Sequence, residues 1–344
     1  MAQALRLAPA YKDYIWGGNK LNREYHKDSP YEITAESWEL SCHPNGPSRI
    51  SGGKFDGLTL TEAIESASGR GEDWMGKNAE AFEQFPVLIK LIDANDSLSI
   101  QVHPDDTYAA REENGSYGKT EVWYIVDAEP GAELIYGFGQ DMTQESFRSA
   151  VAQNELKPCL NSVPVHAGEV YFVPSGLVHA IGKGILICEI QQNSDTTYRV
   201  YDWGRVGADG KPRPLHIDKA ANVSCLSRER KTDFSPALLS DENGVKRYAV
   251  ADCKYFKVEK REQNTASKIS TDGTSFIALT FVRGEGEIVS AEGNQHFRQG
   301  DSFFLPAVPE TYEISGKCEY LVTSVRKVVV KGAAAFAAAP LLLF

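Results

Sequence analysis

Apolar runs broken by turns, joined by further alternating runs, mark strands along much of this chain. After Pro86 the run VLIKLIDANDSLSIQVH (Val87 to His103) carries apolar blocks broken by a turn over Asp93 to Ser97. Strands are expected from there to about residue 205, and again in SFIALTFV (Ser275 to Val282) and SFFLPAV (Ser302 to Val308). Two segments break the pattern. Leu58 to Phe85 is rich in helix formers and predicts two short helices, with Thr61 placed to cap the first. Thr143 to Leu156 predicts another helix, with Thr143 as N-cap and Phe147 and Val151 at i, i+4 spacing. Residues 1 to 50 read as loops and short strands, with a Trp16-Gly17-Gly18 turn and a turn-rich cluster from His43 to Pro47.

An internal repeat organises this pattern. GEVYFVPSGLVHA (Gly168 to Ala180) aligns with GDSFFLPAVPETY (Gly300 to Tyr312): a glycine, then an acidic residue, an apolar run, and a proline six residues after the glycine. Each copy predicts a strand feeding a proline turn. Where the first copy has His179 the second has Thr311, so only the first keeps a metal-ligand type. A linker-like GADGKPRP (Gly207 to Pro214) suggests a boundary between about 205 and 245. The expected division is a catalytic domain over 1–225 with a helical insertion at about 58–85, a second domain over 226–330 without metal ligands, and an apolar tail over 331–344 to which no role is assigned.

Composition narrows the class. The 344 residues are 42% hydrophobic and 24% charged, ordinary for a soluble globular protein of about two domains. Thirty-six basic against 47 acidic residues give a net charge of −11, which repels nucleic acid and anionic membrane. Six scattered cysteines (42, 159, 188, 225, 253 and 318) contain no C-x-x-C pair and read as reduced, structural thiols. Met1 to Gly17 lacks a continuous apolar run, so no signal peptide and a cytoplasmic location are expected. No protein partner is implied.

The candidate metal ligands come from three places. SIQVHPDD puts Ser99, Gln101 and His103 on one strand face, and GKTEVWYIV puts Lys119 and Glu121 on another. The repeat supplies His179. Two imidazoles, a carboxylate and an amide (Gln101, His103, Glu121, His179) suit a divalent first-row ion, with zinc the first choice and other divalent metals open. Glu121 precedes the apolar VWYIV, where a carboxylate needs a metal or a cation to meet it. His26, His43, His166, His216 and His296 read as surface or satisfied core residues, and Lys119 has an ordinary alternative as a solvated strand-end lysine. Lys90, inside VLIKLI, reads either as a phosphate ligand or as the partner of a carboxylate.

Gly168, Pro174, Gly176 and His179 match the second signature of the cupin barrels, G-x5-P-x-G-x2-H, with Lys183 where that family usually has Asn. The ordered set FPVLIKLIDANDSLSIQVHPDD, GKTEVWYIV, VPSGLVHAIGKG and NSDTTYRVYDWGR resembles the shorter bacterial type I phosphomannose isomerases, over about residues 10 to 325. The resemblance implies a mainly β fold of two cupin (jelly-roll) barrels with a small helical insertion. It further implies a zinc-dependent aldose–ketose isomerase interconverting mannose 6-phosphate and fructose 6-phosphate through an enediol. The metal would be held by His103, Glu121 and His179, with Gln101 the least constant ligand of the set. Arg199 matches the family's active-site arginine, and Ser99 and Lys119 fall at substrate- or phosphate-contacting positions. A phosphate dianion needs local cations in an acidic protein, and Arg199 and Lys119 can provide them. For the proton transfer Asp195 and Lys119 are the candidates, with Glu39 and His43 on a stretch that lines the pocket in relatives. Two other readings stay open: a sugar-phosphate-binding protein without turnover, and a non-haem iron oxygenase, whose facial triad is also two histidines and a carboxylate.

Overall fold

The computed structural model describes residues 3–206, 210–231 and 233–327, so the apolar tail from 331 onward lies outside the described residues. Mainly β architecture is what it shows. Among the described residues the strands form sheets of ten, six and five members. Contacts divide the chain into two compact units, one of residues 1–10, 38–88 and 236–344, the other of residues 11–37 and 89–235. Neither unit is a single stretch of sequence. Leu5–Ala8 pairs antiparallel with Ser302–Leu305, Leu5 facing Phe304, so the first strand of the chain completes the sheet of the C-terminal residues. The core of that unit is aromatic, with Phe281 stacked on Phe297 at 3.7 Å between ring centres and packed against Phe303, Tyr312 and Tyr320.

The unit of residues 11–37 and 89–235 carries the candidate site; its five-stranded sheet obeys the alternation of period two, whereas Glu121–Ala128 and Ile185–Gln192 of the six-stranded sheet are buried on both faces over most of their length. In the five-stranded sheet Ile100 and Val102, Val178 and Ala180, and Tyr198 and Val200 turn to one face. There they are covered by Phe147 and Ala150 of the helix Gln144–Ala152 and by Ala220 and Ala221 of the helix Ile217–Val223. The opposite parity therefore faces the six-stranded sheet. Leu134, Tyr136 and Ile181 from one sheet pack there against Trp123, Ile125, Tyr171, Val173 and Ile187 from the other, with Trp16 and Phe234 closing the cluster. Gln101, His179 and Arg199 share the parity of this inner face, as does Glu121 with Trp123.

Local signals behave as the residues predict, with three differences. The helix of the Leu58–Phe85 segment is Leu60–Ser68, capped by Thr59 rather than Thr61: Thr59 Oγ1 accepts from Glu62 N while the Glu62 carboxylate accepts from Thr59 N, a reciprocal box. The second expected helix there is a short 3-10 turn, Lys77–Ala81. The helices Asp106–Glu112 and Ile217–Val223 were not expected; at seven residues each they fall below the length at which periodicity is readable. Thr143 caps Gln144–Ala152 as predicted. In both repeat copies the glycine opens the strand from the left-handed region, Gly168 at φ +94° and Gly300 at φ +93°, and the strands Val170–Val173 and Ser302–Leu305 follow.

Candidate metal centre and active site

His179 reaches its place through the turn Pro174-Ser175-Gly176. Gly176 has φ +88°, and a Cβ on it would lie 2.8 Å from the Val223 carbonyl oxygen, so only glycine fits. The turn delivers His179 as the first residue of the strand His179–Ile181, opposite Gln101 on one side and Tyr136 on the other. Gln101 is in turn opposite Arg199. Arg199, Gln101, His179 and Tyr136 thus form one row across the five-stranded sheet. Glu121 opens the facing strand Glu121–Ala128.

His103, Glu121 and His179 bring one ligand atom each to within 4.8 Å of one another, all three buried. The tautomers follow from the hydrogen bonds. His103 Nδ1 lies 2.9 Å from the Thr196 carbonyl and His179 Nδ1 lies 2.8 Å from the Leu177 carbonyl. A carbonyl only accepts, so each Nδ1 carries the hydrogen and each Nε2 presents a lone pair. The lone pairs face Glu121, at 3.3 Å from His103 Nε2 to Oε1 and 3.9 Å from His179 Nε2 to Oε2. The Gln101 amide nitrogen is 3.4 Å from His179 Nε2.

Electrostatics keep these groups in the forms a cation needs. Burial, with the Lys119 ammonium beside it, pushes His103 down to about 3, and burial lowers His179. Burial alone would raise Glu121, but Lys119 and the His103 contact outweigh it and hold the carboxylate well below its usual range. Glu121 Oε1 is buried without a hydrogen bond of acceptable geometry, although the Lys119 ammonium is its ion-pair neighbour. Two neutral imidazoles with inward lone pairs, their other nitrogens tied to carbonyls, and a buried carboxylate make a donor set compatible with a divalent cation.

The other predicted residues take distinct places. Arg199 Nε donates to Ser99 Oγ at 3.3 Å and Nη1 to the Pro214 carbonyl at 3.2 Å, so Ser99 and Arg199 stand together at the end of the row. Lys119 is buried, 3.3 Å from His103 Nε2. Asp195 is exposed in the loop between the strands Ile185–Gln192 and Tyr198–Tyr201, within electrostatic reach of the Tyr14 phenol. Glu39 and His43 belong to the other unit, where Glu39 accepts from Ser302 Oγ at 2.9 Å and His43 packs edge-on to Trp38.

With this geometry in view, comparisons with known proteins decide the family. A model of the type I phosphomannose isomerase catalytic domain matches residues 4–129, and one of the mannose-6-phosphate isomerase cupin domain matches residues 246–339. Mannose-6-phosphate isomerase of Streptococcus mutans is 37% identical over 323 residues, 94% of this chain and 98% of that protein. The Bacillus subtilis enzyme ManA is 36% identical over 323 residues, 93% of this chain and 98% of its own. A solved mannose 6-phosphate isomerase from Bacillus subtilis superposes with a TM-score of 0.83 at 34% identity, covering 94% of this chain and 99% of that one. The chain belongs to the mannose-6-phosphate isomerase family.

In this family member the triad rests on a buried polar network that sequence reasoning missed. Trp123 Nε1 donates to Glu121 Oε2 at 2.9 Å and to Glu189 Oε2 at 3.0 Å. Glu189 Oε1 is 3.1 Å from Lys90 Nζ, which is 3.7 Å from Glu36 Oε2. Lys90 is thereby a carboxylate partner, the second of the two readings its sequence allows. Burial would lower its pKa, yet Glu36 and Glu189 raise it; burial and the Glu121 charge raise Glu189. The signal available in the sequence was a charged residue inside each of two apolar strands, Lys90 in VLIKLIDA and Glu189 in ILICEIQQ.

Proposed function

We propose that the chain interconverts mannose 6-phosphate and fructose 6-phosphate, with zinc held by His103, Glu121, His179 and Gln101. The observation that carries the proposal is the buried His103–Glu121–His179 triad, its two imidazole lone pairs turned on one carboxylate, in a chain of this family. When bound, the ion supplies electrophilic stabilisation of the oxyanion that develops as a proton leaves the carbon beside a carbonyl, without redox side reactions.

The remaining work falls to the chain's own groups. Isomerisation moves a proton between C2 and C1 of the sugar through an enediol. Lys119, buried against Glu121 and His103, is one candidate to carry that proton, and Asp195 is the second. Arg199 is fixed at two points, so its fork is pre-oriented for a developing enediolate or for the phosphate. Because the Ser99 oxygen accepts from Arg199, its own hydroxyl hydrogen can be donated to substrate.

The test is a coupled assay of fructose 6-phosphate formation from mannose 6-phosphate on the purified protein, before and after chelation, with zinc, manganese or cobalt returned singly. Turnover that disappears with the metal and returns best with zinc is the expected result. Absence of turnover in zinc-loaded protein refutes the activity, and full turnover in metal-free protein refutes the metal's role.

A further inference from the structure

Beside Arg199 lies a second guanidinium, placed by a device of its own. An antiparallel bridge joins Val206 and Pro212, and the two residues flanking the bridge are Arg205 and Arg213. Both are held by Asp202, which is buried at 7% exposure. Arg213 donates from Nε to Oδ2 at 2.7 Å and from Nη2 to Oδ1 at 2.6 Å, a fork on a carboxylate, and Arg205 Nη2 donates to Oδ1 at 2.7 Å. The chain just after Arg213 is then tied to Arg199 itself: Pro214 carbonyl accepts from Arg199 Nη1 at 3.2 Å, and His216 N donates to the Arg199 carbonyl at 2.8 Å while its Nδ1 accepts from Arg199 N at 3.2 Å.

Charge is left over in this arrangement. Arg205 and Arg213 hold the buried Asp202, Arg199 lies within electrostatic reach of all three, and Asp96, 3.7 Å from Arg205 Nη1, is an exposed carboxylate on the Arg205 side. Burial first, and then Arg213, disfavour the charged form of Arg199. Half-buried like charges brought this close are costly unless something negative meets them. Arg213 lies within electrostatic reach of the Tyr14 phenol, as do Glu36, Lys90 and Asp195. The fork on Asp202 uses Nε and Nη2, so Nη1 lies outside that clamp.

We propose that Arg213, held by Asp202 next to Arg199, is a specificity-determining residue that recognises the phosphate of a 6-phosphosugar. This rests on the reading that the site takes a sugar phosphate. Asp202 is a positioning residue: it orients the guanidinium without touching substrate. A carboxylate clamp suits this task because arginine keeps its charge when its partner is ionised and can present a further N–H to an oxyanion.

The experiment uses the zinc-loaded full chain and two variants, Arg213→Gln and Arg213→Lys. Steady-state constants are measured for mannose 6-phosphate and for mannose, together with competitive inhibition by inorganic phosphate. For Arg213→Gln the KM for mannose 6-phosphate and the phosphate inhibition constant should both rise by about 10- to 100-fold, more than kcat falls, as expected when a charge-assisted contact to the non-reacting end is lost. The preference for mannose 6-phosphate over mannose should drop by a similar factor, and Arg213→Lys should recover part of the loss. If both constants stay within about two-fold of the parent, Arg213 only ties down its loop and the proposal is overturned. Should Arg213→Gln fail to fold, Asp202→Asn keeps all three arginines while loosening the clamp; several-fold increases in both constants support the proposal, and unchanged constants overturn it. If the parent protein does not turn over mannose 6-phosphate, the isomerase reading fails on its own. Inorganic phosphate binding, followed by calorimetry, then decides this point: weaker binding to Arg213→Gln than to the parent supports the phosphate site, and equal binding overturns it.

Discussion

The indole nitrogen of Trp123 donates to Oε2 of Glu121 at 2.9 Å. The same N–H reaches Glu189 Oε2 at 3.0 Å, so one fully buried donor orients two carboxylates, one of them in the His103–Glu121–His179 triad.

Trp123→Phe keeps most of the ring volume and deletes that donor. Glu121 then loses the contact that sets the angle of its carboxylate, and zinc should be held about 10- to 100-fold more weakly. A competition titration with a chromogenic chelator measures it. Unchanged zinc affinity would show that Lys119 alone is enough to orient Glu121.

Arg199→Lys should lower kcat/KM by roughly 100-fold or more, because an ammonium cannot donate to Ser99 and to the Pro214 carbonyl while keeping a fork toward substrate. Circular dichroism and zinc content should match the parent. A loss confined to a few-fold would remove Arg199 from the machinery.

Gly176→Ala tests the turn that delivers His179. At φ +88°, with the new Cβ 2.8 Å from the Val223 carbonyl oxygen, the substitution should cost about 2 kcal/mol or more. Thermal unfolding reads this as a drop in Tm. The same change at Gly168, where nothing lies within 4 Å of the Cβ position, should cost less, the backbone strain alone.

Asp93 gives a pH dependence. Burial pushes its carboxyl up to about 6, although it accepts from Lys20 N at 2.8 Å. A folded-state pKa above the unfolded one favours the protonated form in the native state. Its contribution is therefore fully present below pH 4 and is lost as pH rises through about 6. Asp93→Asn does not titrate, so its stability relative to the parent should improve by about 2 to 3 kcal/mol between pH 4 and 7. Urea unfolding at several pH values gives the difference directly. A flat difference would mean that Asp93 is ionised at no cost.

Much of the site was readable from residues alone, because each signal was local. Gly176 and His179 declare themselves by the turn chemistry of one short segment, and period two puts Gln101 and His103 on the face opposite Ile100 and Val102. The support behind the triad was not readable. Trp123 lies in an apolar run and is core by burial, while its N–H serves two carboxylates from different strands. Likewise Arg213 stood in what read as a linker, GADGKPRP, and only its contact with Asp202 gives it a place.

The sequence by itself determined which side of the alternating strands is buried, where the main turns fall, and which ligand types are on hand, since these depend on neighbours a few residues apart. The tertiary structure alone decided the partners: Leu5 against Phe304, Arg199 against Gln101, Lys90 between Glu36 and Glu189. Alternation tells a side chain which face to take. It does not tell a strand which distant strand will pair with it, because that choice balances loop closure against the packing of whole faces. It does not tell a buried charge which opposite charge will meet it either, and here that pairing is what separates a structural lysine from a phosphate ligand.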